Sequence, residues 1–375
     1  MIQVGHVDFL YLSEQDMLNA GVLDANECVN TIEEVFRLLS RGDYIMGGPK
    51  ENSHGVMLWF PEKPRFNMPV AGPDRRFMAM IAYLGGRFNV CGEKWYGSNV
   101  ENPKLRHLPR SILMIMLNDP VTSEPLALMS GNLVSAMRTG AVPGVAARHL
   151  AKSDAETAGI FGAGVISRAS LLAINAGRPS IKTAWVYDII EEKSKAFAEE
   201  MKEFGITVHI ASTPEECVRN ADVIAVATSG KNAVRIEESW LKDGALLATS
   251  GVVDVSDEFC LSHKIVVDNW KMHQEWREEG LASKEGLASL STWAGTHQVI
   301  RLQVEGKIDE DKDIIDLGDI IENKKPGRTD DKEKIFFLAG GMPVHDVAWG
   351  YDIYQNALAK KIGTKLNLWE EPHWF

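Results

Sequence analysis

The spacing of apolar positions changes character along the chain. Between residues 13 and 40 it is helical. Ser13 stands where an N-cap would, Asp24 is placed to cap a second helix, and Val29, Ile32, Phe36 and Leu39 fall on one face. From about residue 54 to 129, short apolar runs at Val56–Phe60, Phe77–Leu84, Ile112–Leu117 and Leu126–Leu128 are punctuated by Gly and Pro. That texture predicts a mainly antiparallel sheet, because the intervals leave no room for regular crossover helices. Leu133–Leu150 reads as a helix of small residues interrupted at Pro143. Strand-like stretches then recur at Ala158–Phe161, Thr183–Tyr187, Asp222–Ala227, Ala245–Ala248 and Lys264–Val267, with helical stretches between several of them. Such alternation predicts an α/β unit with a parallel sheet. Residues 303–334 are charged and carry Pro and Gly, which predicts a surface excursion. Pro343–Lys361 reads as a last amphipathic helix with Pro343 in its first turn.

One local pattern carries chemistry. The apolar strand ending at Phe161 runs into Gly162-Ala163-Gly164-Val165-Ile166-Ser167 and then a helix. In such a turn the first Gly permits the tight bend and the second lets backbone approach a pyrophosphate. The helix N-terminus then offers N–H groups to the anion. An acidic residue, Asp188, ends the next strand, where a carboxylate meets the ribose hydroxyls of a dinucleotide. The same carboxylate repels a 2′-phosphate and no Arg closely follows it, so NAD is expected rather than NADP. The competing reading is a Rossmann fold with an empty site. Thr228-Ser229-Gly230 closes a later strand and is either a second cofactor contact or a plain turn.

Composition narrows the setting. The chain has 375 residues, enough for two cores, with 45% hydrophobic and 25% charged residues. Its net charge of −12 argues against a nucleic-acid partner. The four cysteines are scattered, with no C-x-x-C pair, so neither a disulfide framework nor a metal site is expected. No run of about 18 apolar residues is present and no leader is evident, so a cytoplasmic protein away from membranes is expected.

Three cations outside the parallel unit are candidates for an anionic substrate. Arg138 lies in a helix of small residues, where burial would require an anion: a substrate carboxylate or an internal acid. On a strand, Glu93 and Lys94 face opposite sides, so Lys94 either points inward or is a solvated edge residue. Lys50 by itself reads as a surface charge. Asp254 follows a parallel strand, where ligands bind, and is a candidate base or amine anchor, or else a turn residue. His54 and His345 are weaker candidates.

These segments resemble the ornithine cyclodeaminase/mu-crystallin family over nearly the whole length. The match includes Pro49-Lys50, Ser53-His54-Gly55-Val56, Gly92-Glu93-Lys94, Asn118-Asp119-Pro120 and Arg138-Thr139-Gly140-Ala141. It continues through the Gly162 turn and Pro326-Gly327-Arg328 to Gly341-Met342-Pro343-Val344-His345-Asp346. Within the family, Gly92–Asn99 and Leu108–Ser111 look like sequences labelled as a component of tyramine oxidase. The resemblance implies a homodimer in which residues 1–150 and 335–375 form a substrate-binding and dimerisation domain, with a Rossmann domain at 151–334 inserted between them. It implies that Lys94 and Arg138 hold a substrate carboxylate, with Lys50 where the family has an arginine, and that Asp254 stands for the catalytic aspartate. Leu58 replaces a glutamate of the ornithine enzyme, Ile166 a glutamine and Ala339 a serine. The expected activity is NAD-dependent hydride exchange at the α-carbon of an amino acid or its imine. The alternatives are a redox-neutral cyclodeaminase and a ligand-binding protein without turnover.

Overall fold

A computed structural model of the chain describes residues 5–72, 74–228 and 233–374. The chain divides into two units. One comprises Met1–Asp24, Asp43–Ser135 and Met342–Phe375, the other Ala25–Gly42 and Ala136–Gly341.

The first unit is built on an eight-stranded sheet. Its strand order is Thr364–Trp369, Val7–Leu12, Pro125–Ser130, Ser111–Asn118, Val90–Ser98, Arg76–Leu84 and Tyr44–Met46, with Val56–Trp59 also paired to Arg76–Leu84. Neighbours are antiparallel except Val7–Leu12 beside Pro125–Ser130. The period of two sends Met78, Met80, Lys94, Leu113 and Ile115 to one buried face. The helix Pro343–Lys360, with Pro343 in its first turn, covers that face. The opposite face exposes Phe77, Ile81, Trp95, Ile112 and Met114.

The second unit is an all-parallel sheet of eight strands. Their order is Thr207–Ile210, Thr183–Tyr187, Thr157–Phe161, Val223–Val226, Leu246–Thr249, Ile335–Leu338, Lys264–Val267 and Ile314–Asp316. The central strands are buried on both faces, which is why they read as unbroken apolar runs. Chain order reverses between Thr157–Phe161 and Val223–Val226, and that reversal opens a crevice at their carboxyl ends.

The structure departs from the sequence-based expectations in several places. Helix Ala25–Arg41 belongs with the parallel unit, where it packs on helices Val165–Gly177 and Leu317–Ile321. Strand Ile335–Leu338 is hydrogen-bonded between two parallel strands, so the parallel unit extends to Gly341 rather than ending at 334. The segment 303–334 is not simply a surface excursion: Ile314, Leu317, Ile320 and Ile321 are buried. Helix Asn132–Leu150 runs through Pro143 without a break. Its small residues have a packing reason, since a Cβ on Gly144 would sit 2.5 Å from the Ala173 carbonyl oxygen of helix Val165–Gly177. Among the described residues no helix is long and apolar enough to cross a membrane.

The Gly144 contact generates a prediction. Gly144→Val forces these helices apart, and the unfolding free energy falls by about 1–3 kcal/mol in urea titration. An unchanged midpoint would mean that the contact is not close.

Candidate active site

The glycine turn is the best-defined part of the site. Gly162 has φ of 88°, a left-handed conformation that favours glycine. Its N–H donates to the Tyr187 carbonyl at 2.8 Å. The next amide, Ala163, donates to Asp188 Oδ2 at 2.8 Å, while Ile190 N–H donates to Asp188 Oδ1 at 2.9 Å. Asp188 therefore clasps the turn to the end of the second strand, and each carboxylate oxygen keeps further acceptor capacity. Gly164 caps helix Val165–Gly177 without a side-chain hydrogen bond, so the first-turn amides have no intrahelical acceptor. A Cβ on Gly164 would meet nothing within 4 Å, so the approach to these amides is open. Val165 and Ile189 are exposed beside the turn. Thr228 lies against it, its Cγ2 3.6 Å from a Cβ built on Gly162. Ser229 lies outside the described residues. Arg168 donates to the Ala163 carbonyl at 2.7 Å and pairs with Glu200, which occupies the cation closest to the turn in sequence. Bare amides, an open glycine and a carboxylate on the second strand fit a dinucleotide.

The sheet of the first unit buries Lys94, which is 2% exposed. Its Nζ donates to Asp346 Oδ2 at 2.8 Å and to Ser135 Oγ at 3.3 Å, and lies 5.9 Å from the Tyr96 ring centroid. Asp346 is fully buried in the first turn of the Pro343–Lys360 helix. Lys94 is therefore an inward ammonium with an internal counter-ion, not a solvated edge lysine. In the sequence Asp346 stands out only as the end of a motif, because 252 residues separate it from Lys94.

In the second unit Arg138 is buried on helix Asn132–Leu150. Gly341, with φ of 74°, is pressed against it: a Cβ there would lie 2.8 Å from Arg138 Nη1. The Gly340 and Gly341 amides both donate to Asp268 Oδ2, at 2.7 and 3.2 Å. Asp268 Oδ1 accepts from Asn269 N–H at 2.9 Å and pairs with His273 Nε2 at 2.7 Å, and His273 Nδ1 meets Thr296 Oγ1 at 2.9 Å. These contacts supply the hydrogen bonds that a buried carboxylate needs inside the protein. Sequence reasoning missed Asp268 although it follows strand Lys264–Val267, the same kind of position that drew attention to Asp254.

Asp254 itself ends a two-residue strand, is half-exposed, and pairs with Arg235 Nη1 at 3.1 Å. Lys50 is exposed in a turn, His54 is half-buried, and His345 is fully buried. Leu58 pairs with Phe77 and is half-exposed.

The sequence and fold have known relatives. The family model described as "Ornithine cyclodeaminase/mu-crystallin family" matches residues 24–361. The chain is 30% identical to the N-((2S)-2-amino-2-carboxyethyl)-L-glutamate dehydrogenase of Staphylococcus aureus, over 96% of this chain and 99% of that protein. The solved Δ1-pyrroline-2-carboxylate reductase of Thermococcus litoralis, in complex with NADH and L-proline, superposes with a TM-score of 0.77 at 29% identity, covering 95% of this chain and 99% of that one. An archaeal alanine dehydrogenase dimer with bound NAD gives a TM-score of 0.75 at 25% identity, covering 97% and 100%.

The charges at Asp346 and Asp316 each have a measurable consequence. Asp346→Asn removes the carboxylate that pairs with the buried Lys94 ammonium and lowers stability by about 3–5 kcal/mol in denaturant titration. A loss below about 1 kcal/mol would show that the pair carries little. The second concerns Asp316, whose Oδ1 accepts from Trp270 N–H at 2.6 Å. Burial, reinforced by Asp319 and Asp268, pushes its carboxyl up to about 6. The folded state thus binds this proton more tightly than the unfolded chain. The resulting stability is present below the ordinary carboxylate range and is lost as pH rises through about 6. Asp316→Asn removes that component, so the variant's stability falls less than the parent's between about pH 4 and 6. Identical slopes would contradict the assignment.

Proposed function

The chain belongs to the ornithine cyclodeaminase/mu-crystallin family, and from that premise we propose that it is an NAD-dependent oxidoreductase acting at the α C–N bond of an amino acid or its imine. The observation that carries this is the clasp of Asp188 on the Gly162–Gly164 turn, which presents bare helix amides and a ribose-facing carboxylate in one place. Relatives matched along nearly their full length are named as dehydrogenases and reductases, and two are solved with NADH or NAD. Those names favour net redox turnover over a redox-neutral cyclodeaminase or a ligand-binding protein. The likeness of Gly92–Asn99 to sequences labelled as a component of tyramine oxidase adds no activity to this proposal.

NAD supplies the hydride acceptor, or NADH the donor. The Val165–Ser167 amides would hold the pyrophosphate, Asp188 the ribose, and Thr228 would flank the dinucleotide; Ser229, the other expected contact, lies outside the described residues. Lys94 and Arg138 bind the substrate carboxylate, and Lys50 is a third cationic contact. Asp254 takes the amine or its proton. Its pair with Arg235 is exposed and screened by solvent, so exchanging Arg235 for a substrate ammonium costs little. Positioning of this kind supplies much of the acceleration of a hydride transfer. Residues 1–150 and 335–375, less the segments 25–42, 136–150 and 335–341 that group with the parallel sheet, remain the proposed substrate-binding and dimerisation part. The exposed sheet face with Phe77, Ile81, Trp95, Ile112 and Met114 is the proposed homodimer contact, as large apolar patches mark interfaces. None of the four cysteines is in a disulfide, which suits a reducing compartment such as the cytoplasm.

The test is spectrophotometric. The protein is given NADH with cyclic imino acids or with 2-oxo acids plus ammonium, then NAD with amino acids, with ammonia assayed in parallel. A change in nicotinamide absorbance with at least one substrate is expected. Ammonia release without that change would replace this proposal with a cyclodeaminase. In the active assay, Asp188→Ser lowers the preference for NADH over NADPH by about tenfold or more, through loss of the carboxylate that repels a 2′-phosphate. An unchanged ratio would separate Asp188 from cofactor choice.

A further inference from the structure

We infer that the buried face of the antiparallel sheet carries a second anion-binding position, at Arg76, and that the substrate is an amino or imino acid with a second carboxylate. The inference rests on the proposal that Lys94, on the same face, binds the α-carboxylate.

The register places the two cations together. Arg76 is opposite Ser98, Met78 opposite Tyr96 and Met80 opposite Lys94, so Arg76, Tyr96 and Lys94 project from one side of two adjacent strands. Tyr96 stands between them, its ring centroid 5.6 Å from Arg76 Cζ and 5.9 Å from Lys94 Nζ. Arg76 also lies 5.2 Å from the Trp59 centroid. Two aromatic rings hold the guanidinium in place and leave its N–H edge to make hydrogen bonds.

Local acids do not balance this corner of the sheet. Asp74 serves two arginines: its Oδ1 meets Arg76 Nη1 at 2.7 Å, and its Oδ2 accepts from Arg110 Nε at 2.8 Å and from Ser98 Oγ. Arg75 has its own partner, Glu101, at 2.7 Å. One carboxylate shared by Arg76 and Arg110 leaves a net positive charge. Arg76 Nε is buried and has no hydrogen-bond partner among the described residues, although the side chain remains 23% exposed. A buried N–H without a partner is unfavourable, and a guanidinium fork matches a carboxylate. Arg76 therefore combines a fixed orientation, a counter-ion shared with Arg110 and an unused donor on the face that carries Lys94. A ligand spanning from Lys94 to Arg76 needs an anion at each end. The four-residue offset between Met80 and Arg76 sets the strand separation at roughly 13 Å, which two long side chains shorten from both ends.

The experiment compares paired probes on the NADH- or NAD-loaded protein. Calorimetry measures binding of L-glutamate and L-alanine with NAD. Turnover is measured with 2-oxoglutarate or pyruvate, each with ammonium and NADH. The variants are Arg76→Met, which keeps the stacked alkyl stem, and Arg76→Lys, which keeps the charge and loses the fork. The parent should favour the dicarboxylate of each pair by about tenfold or more. Arg76→Met should erase that preference through KM and Kd, leaving the alanine and pyruvate values within about twofold, and Arg76→Lys should restore it in part. Equal losses on both probes of a pair, or a parent without preference, would overturn the inference and make Arg76 a packing residue. Selective glutamate binding lost in Arg76→Met, with no turnover by the parent, would leave the inference standing and defeat the oxidoreductase proposal instead.

Discussion

The parallel unit depends on one hydrogen-bonded clasp. Asp188, at the end of the second strand, holds the Ala163 amide at the end of the first, and its other oxygen caps Ile190. That arrangement fixes the left-handed bend at Gly162 and sets the direction in which helix Val165–Gly177 leaves the sheet. The first-turn amides consequently face open space beside a carboxylate. Charge and geometry agree there: an anion is favoured at the helix end, and a second phosphate on the ribose is disfavoured at Asp188. Cofactor class follows from the clasp, whereas substrate identity depends on other parts of the chain.

Buried charge organises those other parts. In the antiparallel unit, Lys94 is held by Asp346 from the covering helix. In the parallel unit, Asp268 gathers the Gly340 and Gly341 amides and His273, and Gly341 in turn abuts Arg138. Each case follows the same rule, that a charge removed from water must have its hydrogen bonds made within the protein. Arg76 departs from that rule in part, because it shares one acid with Arg110 and keeps an unpaired donor.

Features whose determinants lie close in sequence were legible before folding. The Gly162 turn, its flanking strand and helix, and Asp188 all lie between residues 157 and 188, and the spacing alone carries the mechanism. The helical face of Val29, Ile32, Phe36 and Leu39 was legible for the same reason. Asp346 could not be matched to Lys94 from spacing, since the contact closes a loop across most of the chain. Asp268 and Asp254 both follow parallel-unit strands, and nothing local in the sequence separates the buried Asp268 from Asp254, which lies in an exposed pair. Arg76 was hidden in the run Asp74-Arg75-Arg76, which reads as solvated charge until the register shows which side each residue faces. In the segment 303–334 the charges likewise mask the buried apolar residues that anchor it, Ile308, Ile314, Leu317, Ile320 and Ile321 among them.

In the proposed reaction a hydride moves between a nicotinamide and the α-carbon. NADH deuterated at the transferable position is supplied with a 2-oxo acid and ammonium or with a cyclic imino acid. The expected product is an amino acid with one deuterium, located at the α-carbon by mass spectrometry and proton NMR. Unlabelled product, or deuterated NADH left unconsumed while the protein is shown to bind both ligands, would contradict it.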